Sequence, residues 1–399
     1  MTFQQNRYNV SQPFKDIKVI DLTHVLAGPF ATYQFALLGA DVIKVENPKN
    51  PDCARGRGGD VSQNNKMLGM NYQVQGGNKR AISIDLKTYQ GQTIFKKLIK
   101  QADILVENYR TSALDELGLG YKALTAVNPK LIYCSITGFG ATGNKAKTNA
   151  YDNVIQASSG IISQSGGHKP GVSFVDYATG LEAAFAISAA LFRAERTGMG
   201  AYISVSMYET ALLMMAPEAA REKNQHNNPN HLEAGIKIYP TQQGELCLGA
   251  FTPQQMSKCL KALSLDGYCH IRIPILNEWD ELWKAGESLY TELRSVFLQN
   301  TAEFWQEYMH NIGLPAEKLR PLAAAVNDQQ LDTRQFFEKV TINGKPQYIP
   351  TSAYKFADEG GVKLTRSAPQ ISQHTDEILQ QIDVKPEEIA ALRKSGVIL

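Results

Sequence analysis

The chain has 399 residues, 43% hydrophobic and 20% charged, with a net charge of +2. That length exceeds one compact core and predicts two domains, and the near-neutral balance lacks the basic excess of a nucleic-acid binder. No run of about 18 apolar residues predicts a membrane span, and Met1–Arg7 lacks the apolar stretch of a secretory signal, so a cytoplasmic protein without membrane contact is expected.

Ile17–Leu22 alternates and then turns apolar, as a strand does. Ala27-Gly28-Pro29 follows, then Phe30–Leu38 at helical spacing, with Pro29 suited to a first turn. Gly39-Ala40 ends that helix and Asp41–Glu46 reads as a second strand, which makes a βαβ unit and favours a parallel sheet. Ala81–Ile84, Asp103–Val106, Leu131–Ile136 and Tyr202–Ser206 predict further strands, and Tyr89–Gln101 a helix. Leu181–Glu195 predicts a long Ala-rich helix without a broad polar face, hence burial on several sides. After Pro217 the texture changes. Residues 218–230 read as a linker, 231–325 as a smaller α+β domain with two strands joined by Gln242-Gln243-Gly244, and 326–399 as a return to the large domain that occupies 1–217. In that return segment, strand-like pieces flank Asn343-Gly344, and Lys385–Arg393 predicts a closing helix.

Cys53, Cys134, Cys247, Cys259 and Cys269 are odd in number and show no C-x-x-C spacing, which argues against a disulfide framework or a zinc site. The seven histidines include no H-E-x-x-H pair, so no metal is expected.

Several short motifs then stand in a telling order: Thr23–Pro29, Gly39–Glu46, Asn78–Arg80, Ile84–Lys87, Val106–Tyr109, Ser135–Gly140, Tyr151-Asp152 with Gln156 and Gly160, Asp176 with Gly180-Leu181, Arg196–Gly200 and Gln373–Leu379. In this order the chain resembles the family III CoA-transferases, the group of formyl-CoA transferase, carnitine CoA-transferase and α-methylacyl-CoA racemase. The resemblance runs from about Phe14 to Leu399. It implies an α/β fold: a Rossmann-like large domain built from both chain ends, a small α+β domain inserted between them, and an interlocked homodimer. It also implies coenzyme A or acyl-CoA as substrate, with no tightly bound cofactor.

Taken alone, Asp176 in Gly171–Gly180 would be a helix N-cap ahead of the Leu181 helix. The resemblance makes it the nucleophile of a CoA-transferase. It would attack the donor acyl-CoA to give a mixed anhydride, then become an aspartyl-CoA thioester, and pass CoA to an incoming carboxylic acid through a second anhydride. By the same resemblance Val25 and Ala27 would border the nucleotide through their backbone. Lys87, Asn108, Tyr109 and Ala113 fall at CoA-lining positions, and Arg110 at that of a CoA-contacting lysine. Arg55 and Arg80 are candidates for the 3′-phosphate or pyrophosphate. Phe139 and Thr137 stand where formyl-CoA transferase has a tyrosine and a lysine, and Asn47 and Glu116 replace two of its arginines. Glu233–Tyr239 holds one glycine where that enzyme has four in a row. This brings the chain nearer in character to carnitine CoA-transferase and disfavours oxalate.

Rival readings have specific weaknesses. A racemase of this family carries a histidine where this chain has Tyr151, and a phenol with a pKa of about 10 is a poor base at neutral pH. A nicotinamide dehydrogenase would use Glu46 on a ribose, but Gly28 alone does not make G-x-G-x-x-G. A serine hydrolase would need a G-x-S-x-G elbow, which is absent. A non-catalytic CoA-binding protein would have no use for Asp176. His24 and His374 read as structural, and Met207, Met214 and Met215 as core.

Overall fold

A computed structural model describes residues 12–225, 231–269, 276–356 and 360–399. The N-terminal Met1–Arg7 and residues 226–230 of the expected linker lie outside them. The described start of that linker is not extended: Ala216–Lys223 is a helix. Glu218 in its first turn and Arg221 and Lys223 in its last suit the helix dipole, a signal that the polar texture conceals.

Six strands form one parallel sheet: β1 (Lys18–Leu22), β2 (Asp41–Glu46), β3 (Arg80–Ser83), β4 (Ile104–Glu107), β5 (Ile132–Thr137) and β6 (Ala201–Ser206). Their order is β3-β2-β1-β4-β5-β6. The helices around the site are α1 (Ala27–Leu37), α2 (Tyr89–Lys100), α3 (Asp152–Ser159), α4 (Phe174–Thr197) and α5 (Met207–Leu213). β1 to β5 are almost wholly buried, charged residues included, because both faces of a parallel sheet are covered. Val19, Val42, Ile104 and Ile132 pack with Ala31 and Phe35 of α1 and Ala183 and Ile187 of α4. Ile20, Ile43, Ile82 and Leu105 pack on the other face with Ile94, Phe95 and Leu98 of α2. Those α2 residues recur at helical spacing, and the Thr88 side chain caps the first turn by accepting from the Gly91 amide.

The chain divides into two compact units, Met1–Ala220 with Gln330–Leu399, and Arg221–Gln329. The second unit holds α6 (Pro253–Leu265), α7 (Trp279–Phe297), α8 (Ala302–Asn311) and an antiparallel sheet of β7 (Ile238–Pro240), β8 (Glu245–Leu248) and β9 (Ala316–Lys318). β7 and β8 are the two expected strands; β9, with three residues, is too short to show a period. In the first unit the return segment forms a hairpin, β10 (Phe337–Ile342) with β11 (Lys345–Pro350), and the helices α9 (Thr375–Gln381) and α10 (Pro386–Lys394). Asn343 and Gly344 take φ of 50° and 73°, the left-handed pair that a two-residue hairpin turn requires. Ile378, Leu379, Ile389 and Leu392 then cover the α2 face of the sheet.

α4 departs from its expected form in two ways. It begins at Phe174, so Asp176 lies inside its first turn rather than ahead of it. It is not buried on several sides either: Leu181, Phe185 and Phe192 are 53%, 75% and 58% exposed. By length and mean hydropathy α4 also qualifies as a possible membrane span, contrary to the run-length expectation. Its Ala183 and Ile187 are nevertheless fully buried against the sheet.

Candidate active site

In a sheet of this order the crevice lies outside the carboxyl ends of the strands, where β1 and β4 lead away in opposite directions. A cleft of about 720 Å³ opens there. Each strand end contributes: Thr23–Ala27 after β1, Asn47 and Asn50–Cys53 after β2, Lys87 after β3, Asn108–Thr111 after β4, and Met207 after β6. Thr137, Gly138 and Ala146–Tyr151 come from the end of β5 and its following loop, and Asp176 from the first turn of α4.

The turn after β1 is held by an unusual set of buried charges. Asp21 accepts from Lys79 Nζ at 2.8 Å and from the Thr23 hydroxyl at 2.5 Å. Lys44, paired with Asp21 in register on β2, reaches the Thr23 carbonyl at 2.5 Å and Asp52 at 3.1 Å. Burial alone would raise the Asp21 carboxyl; the Lys79 and Lys44 charges outweigh it and hold it low. The turn itself is strained, since Val25 has φ of 72° with a branched Cβ. Its amide donates to Asp52 Oδ1 at 3.0 Å and its carbonyl accepts from Gln75. Val25 therefore borders the cleft, but its backbone polar groups are already engaged and are not free for the nucleotide.

His24 is fixed through its backbone, which exchanges two hydrogen bonds with the Asn108 side chain at 2.9 and 2.8 Å. Its ring lines the cleft, edge-on to Tyr109 at 5.4 Å, and burial lowers its pKa. This pairing ties the β1 and β4 turns together.

Asp176 sits at the third position of α4. Its amide and that of Val175 donate to Asp152 Oδ2 at 3.2 and 3.0 Å. Burial and the Asp152 carboxylate push the Asp176 carboxyl up to about 7. Gly180, one turn on, lets α4 approach α1: a Cβ there would lie 2.8 Å from the Ala27 carbonyl and 3.0 Å from the Phe30 ring.

Of the residues expected from the resemblance, Asp176, Val25, Ala27, Lys87, Asn108, Tyr109, Arg110 and Thr137 line this one cleft. Four do not, and each has a physical reason. Arg55 is fully buried, clamped by both Glu46 oxygens at 2.8 and 2.5 Å and stacked on Tyr72. Arg80 joins β3 to Asp41 and to Glu377 of α9 at 2.5 and 2.7 Å. Phe139 packs against Tyr208, under the Lys145 ammonium. Ala113 opens the short helix Ala113–Glu116, two residues past the lining residue Thr111. Arg55 and Arg80 thus hold the fold rather than a phosphate.

Met207 belongs to the core and also lines the cleft, whereas Met214 is 48% exposed. His374 exchanges hydrogen bonds with Ala81 on β3, as a structural histidine should. Sequence reasoning missed Lys147 on the cleft wall and the Asp21–Lys79 and Lys44–Asp52 pairs below it. Lys147 lies in an aperiodic polar loop. A charged residue in an apolar strand, such as Lys44 in Asp41–Glu46, was the available signal for the buried pairs.

Residues 14–375 match the sequence profile described as CoA-transferase family III. The chain belongs to that family. The chain is 35% identical over 401 residues to the succinate–glutarate CoA-transferase of Agrobacterium fabrum, covering 96% of this chain and 98% of that one. It is 34% identical to the human succinyl-CoA:glutarate CoA-transferase, covering 99% and 92%. A solved CaiB/BaiF family protein from Brucella suis superimposes with a TM-score of 0.78 at 28% identity, covering 94% and 100%. The protein is accordingly a family III CoA-transferase, an enzyme whose substrates are CoA thioesters and carboxylic acids.

Proposed function

We propose that the protein moves CoA between dicarboxylic acids, with Asp176 as the covalent carrier. One observation carries the reading: Asp176 opens into the same switch-point cleft as the cations Lys87, Arg110 and Lys147. CoA is a phosphate-rich nucleotide, and these three side chains, Arg110 paired with Glu116 at 2.5 Å, are exposed at the cleft wall, where they meet phosphates without a buried-charge penalty. The thioester end would then lie toward α4.

One Asp176 oxygen attacks the donor thioester carbonyl, the C–S bond breaks, and CoA leaves as thiolate. The thiolate attacks the Asp176 side of the anhydride, releasing the donor acid as carboxylate and leaving aspartyl-CoA. The acceptor carboxylate repeats the sequence in reverse, and Asp176 is regenerated. Anhydride and thioester are both activated acyl groups, so activation passes between acids without a nucleotide triphosphate. The names of the relatives shift the expected acceptor from a carnitine-like acid toward a dicarboxylate. The exposed apolar face of α4 supports the expected homodimer, because a patch of Leu181, Phe185 and Phe192 calls for a partner surface.

Asp176→Ala should abolish exchange between succinyl-CoA and glutarate while CoA binding stays within about twofold. Hydroxylamine should label Asp176 after incubation with succinyl-CoA. Turnover retained by Asp176→Ala would refute the assignment, and exchange confined to monocarboxylic acids would refute the acceptor class.

A further inference from the structure

The residue that caps α4 does not come from α4. An N-cap side chain ordinarily accepts from the second and third amides of its own helix. Here Ser173 occupies the N-cap position and makes no such bond. The second and third amides, Val175 and Asp176, donate instead to Asp152, the first residue of α3. Asp152 is 5% exposed. Its other oxygen accepts from Gln156 Nε2 at 2.5 Å, and the same Gln156 amide donates to the Val172 carbonyl at 3.2 Å. Gln156 is completely buried. Asp152 and Gln156 thus bind both the start of α4 and the segment leading into it.

We propose that Asp152, held by Gln156, is a positioning residue for Asp176, fixing its backbone and withholding from its carboxylate the amides of the helix start. The inference rests on the reading of Asp176 as nucleophile. An acid at the third helical position ordinarily gains from the free amides and the positive end of the dipole. With those amides taken by Asp152, Asp176 gains no such stabilisation, and its oxygens stay basic enough to attack a thioester. The raised Asp176 carboxyl is consistent with this division of roles.

The elements packed on α4 are α1, α3, α5, β5 and β6. Besides Asp152 their ionisable side chains are Tyr33 on α1, Tyr133 and Cys134 on β5, Tyr202 on β6, and Tyr208 and Glu209 on α5. Within α4 the neighbour Tyr177 responds to Asp176. Asp152 is the one that acts on Asp176 as a charge among the described residues.

The test uses the full-length protein. Asp152→Asn keeps an acceptor oxygen and removes the charge; Gln156→Leu keeps the charge and removes its support. The Asp176 carboxyl is followed by carbon-13 NMR of aspartate-labelled, CoA-free protein and assigned by its loss in Asp176→Asn. Asp152→Asn should lower the Asp176 midpoint by about one pH unit and move the acid limb of kcat/KM the same way. Gln156→Leu should lower kcat by about tenfold, with KM for acyl-CoA within about twofold. An unmoved Asp176 midpoint in Asp152→Asn, or losses in Gln156→Leu that fall on KM alone, would overturn the Asp152 inference. Exchange surviving in Asp176→Ala would instead defeat the nucleophile reading itself.

Discussion

Asp176, the proposed nucleophile, carries a cost in stability. Its carboxyl titrates near 7 in the folded chain, where burial and Asp152 disfavour the charge, against 3.8 for the free group. The folded state thus binds the proton more tightly than the unfolded one, so this group's contribution falls as pH rises from about 4 to 7. Glu107, buried at the end of β4, is pushed by burial to about 7 and acts in the same direction. Asp176→Asn should therefore stabilise the protein at pH 8, by on the order of 1–2 kcal/mol after discount for partial exposure. It should change nothing at pH 4, and it should remove turnover. Thermal melts of both proteins across that range check the sign; equal melting temperatures at pH 8 would show that Asp176 carries no such strain.

Two helices decide where Asp176 stands, and their contact depends on a missing side chain. Gly180→Ala would gain about 0.5–1 kcal/mol of helix propensity in isolation. In the fold its Cβ would press on the Ala27 carbonyl and the Phe30 ring, which cannot both retreat without moving α1. The expected net result is a loss of about 1–3 kcal/mol. Because Ala27 lines the cleft and Asp176 shares α4, kcat should fall more than a surface substitution would cause. Denaturant midpoints and initial rates measured together test this; a stabilised, fully active Gly180→Ala would show that the helices sit further apart.

Over the whole molecule, charge and exposed apolar surface make separate predictions. The net charge of +2 gives no general attraction for a polyanion, so the local cations at the cleft must supply it. Lys87→Ala and Lys147→Ala should each raise KM for acyl-CoA about three- to tenfold, with smaller effects as salt increases and little change in kcat. Salt-independent KM values would remove these lysines from the CoA site. Phe185→Glu, on the open face of α4, should lower the molecular mass seen by light scattering toward that of one chain. An unchanged mass would exclude that face from the proposed dimer.

The βαβ opening, the strands of the parallel sheet and the β10–β11 turn were legible in the sequence, because periodicity and Asn343-Gly344 are local properties of the chain. The order of the neighbouring motifs also pointed to Asp176, which lines the cleft. The same sequence could not separate Arg110, which lines the cleft, from Arg55 and Arg80, which hold the fold. A basic side chain reads alike in either role until its partners, here Glu46, Asp41 and Glu377, are placed. Nor could it show that Asp176 lies within α4 and is capped by Asp152. That hydrogen bond joins residues on different helices, and only packing in three dimensions brings them together.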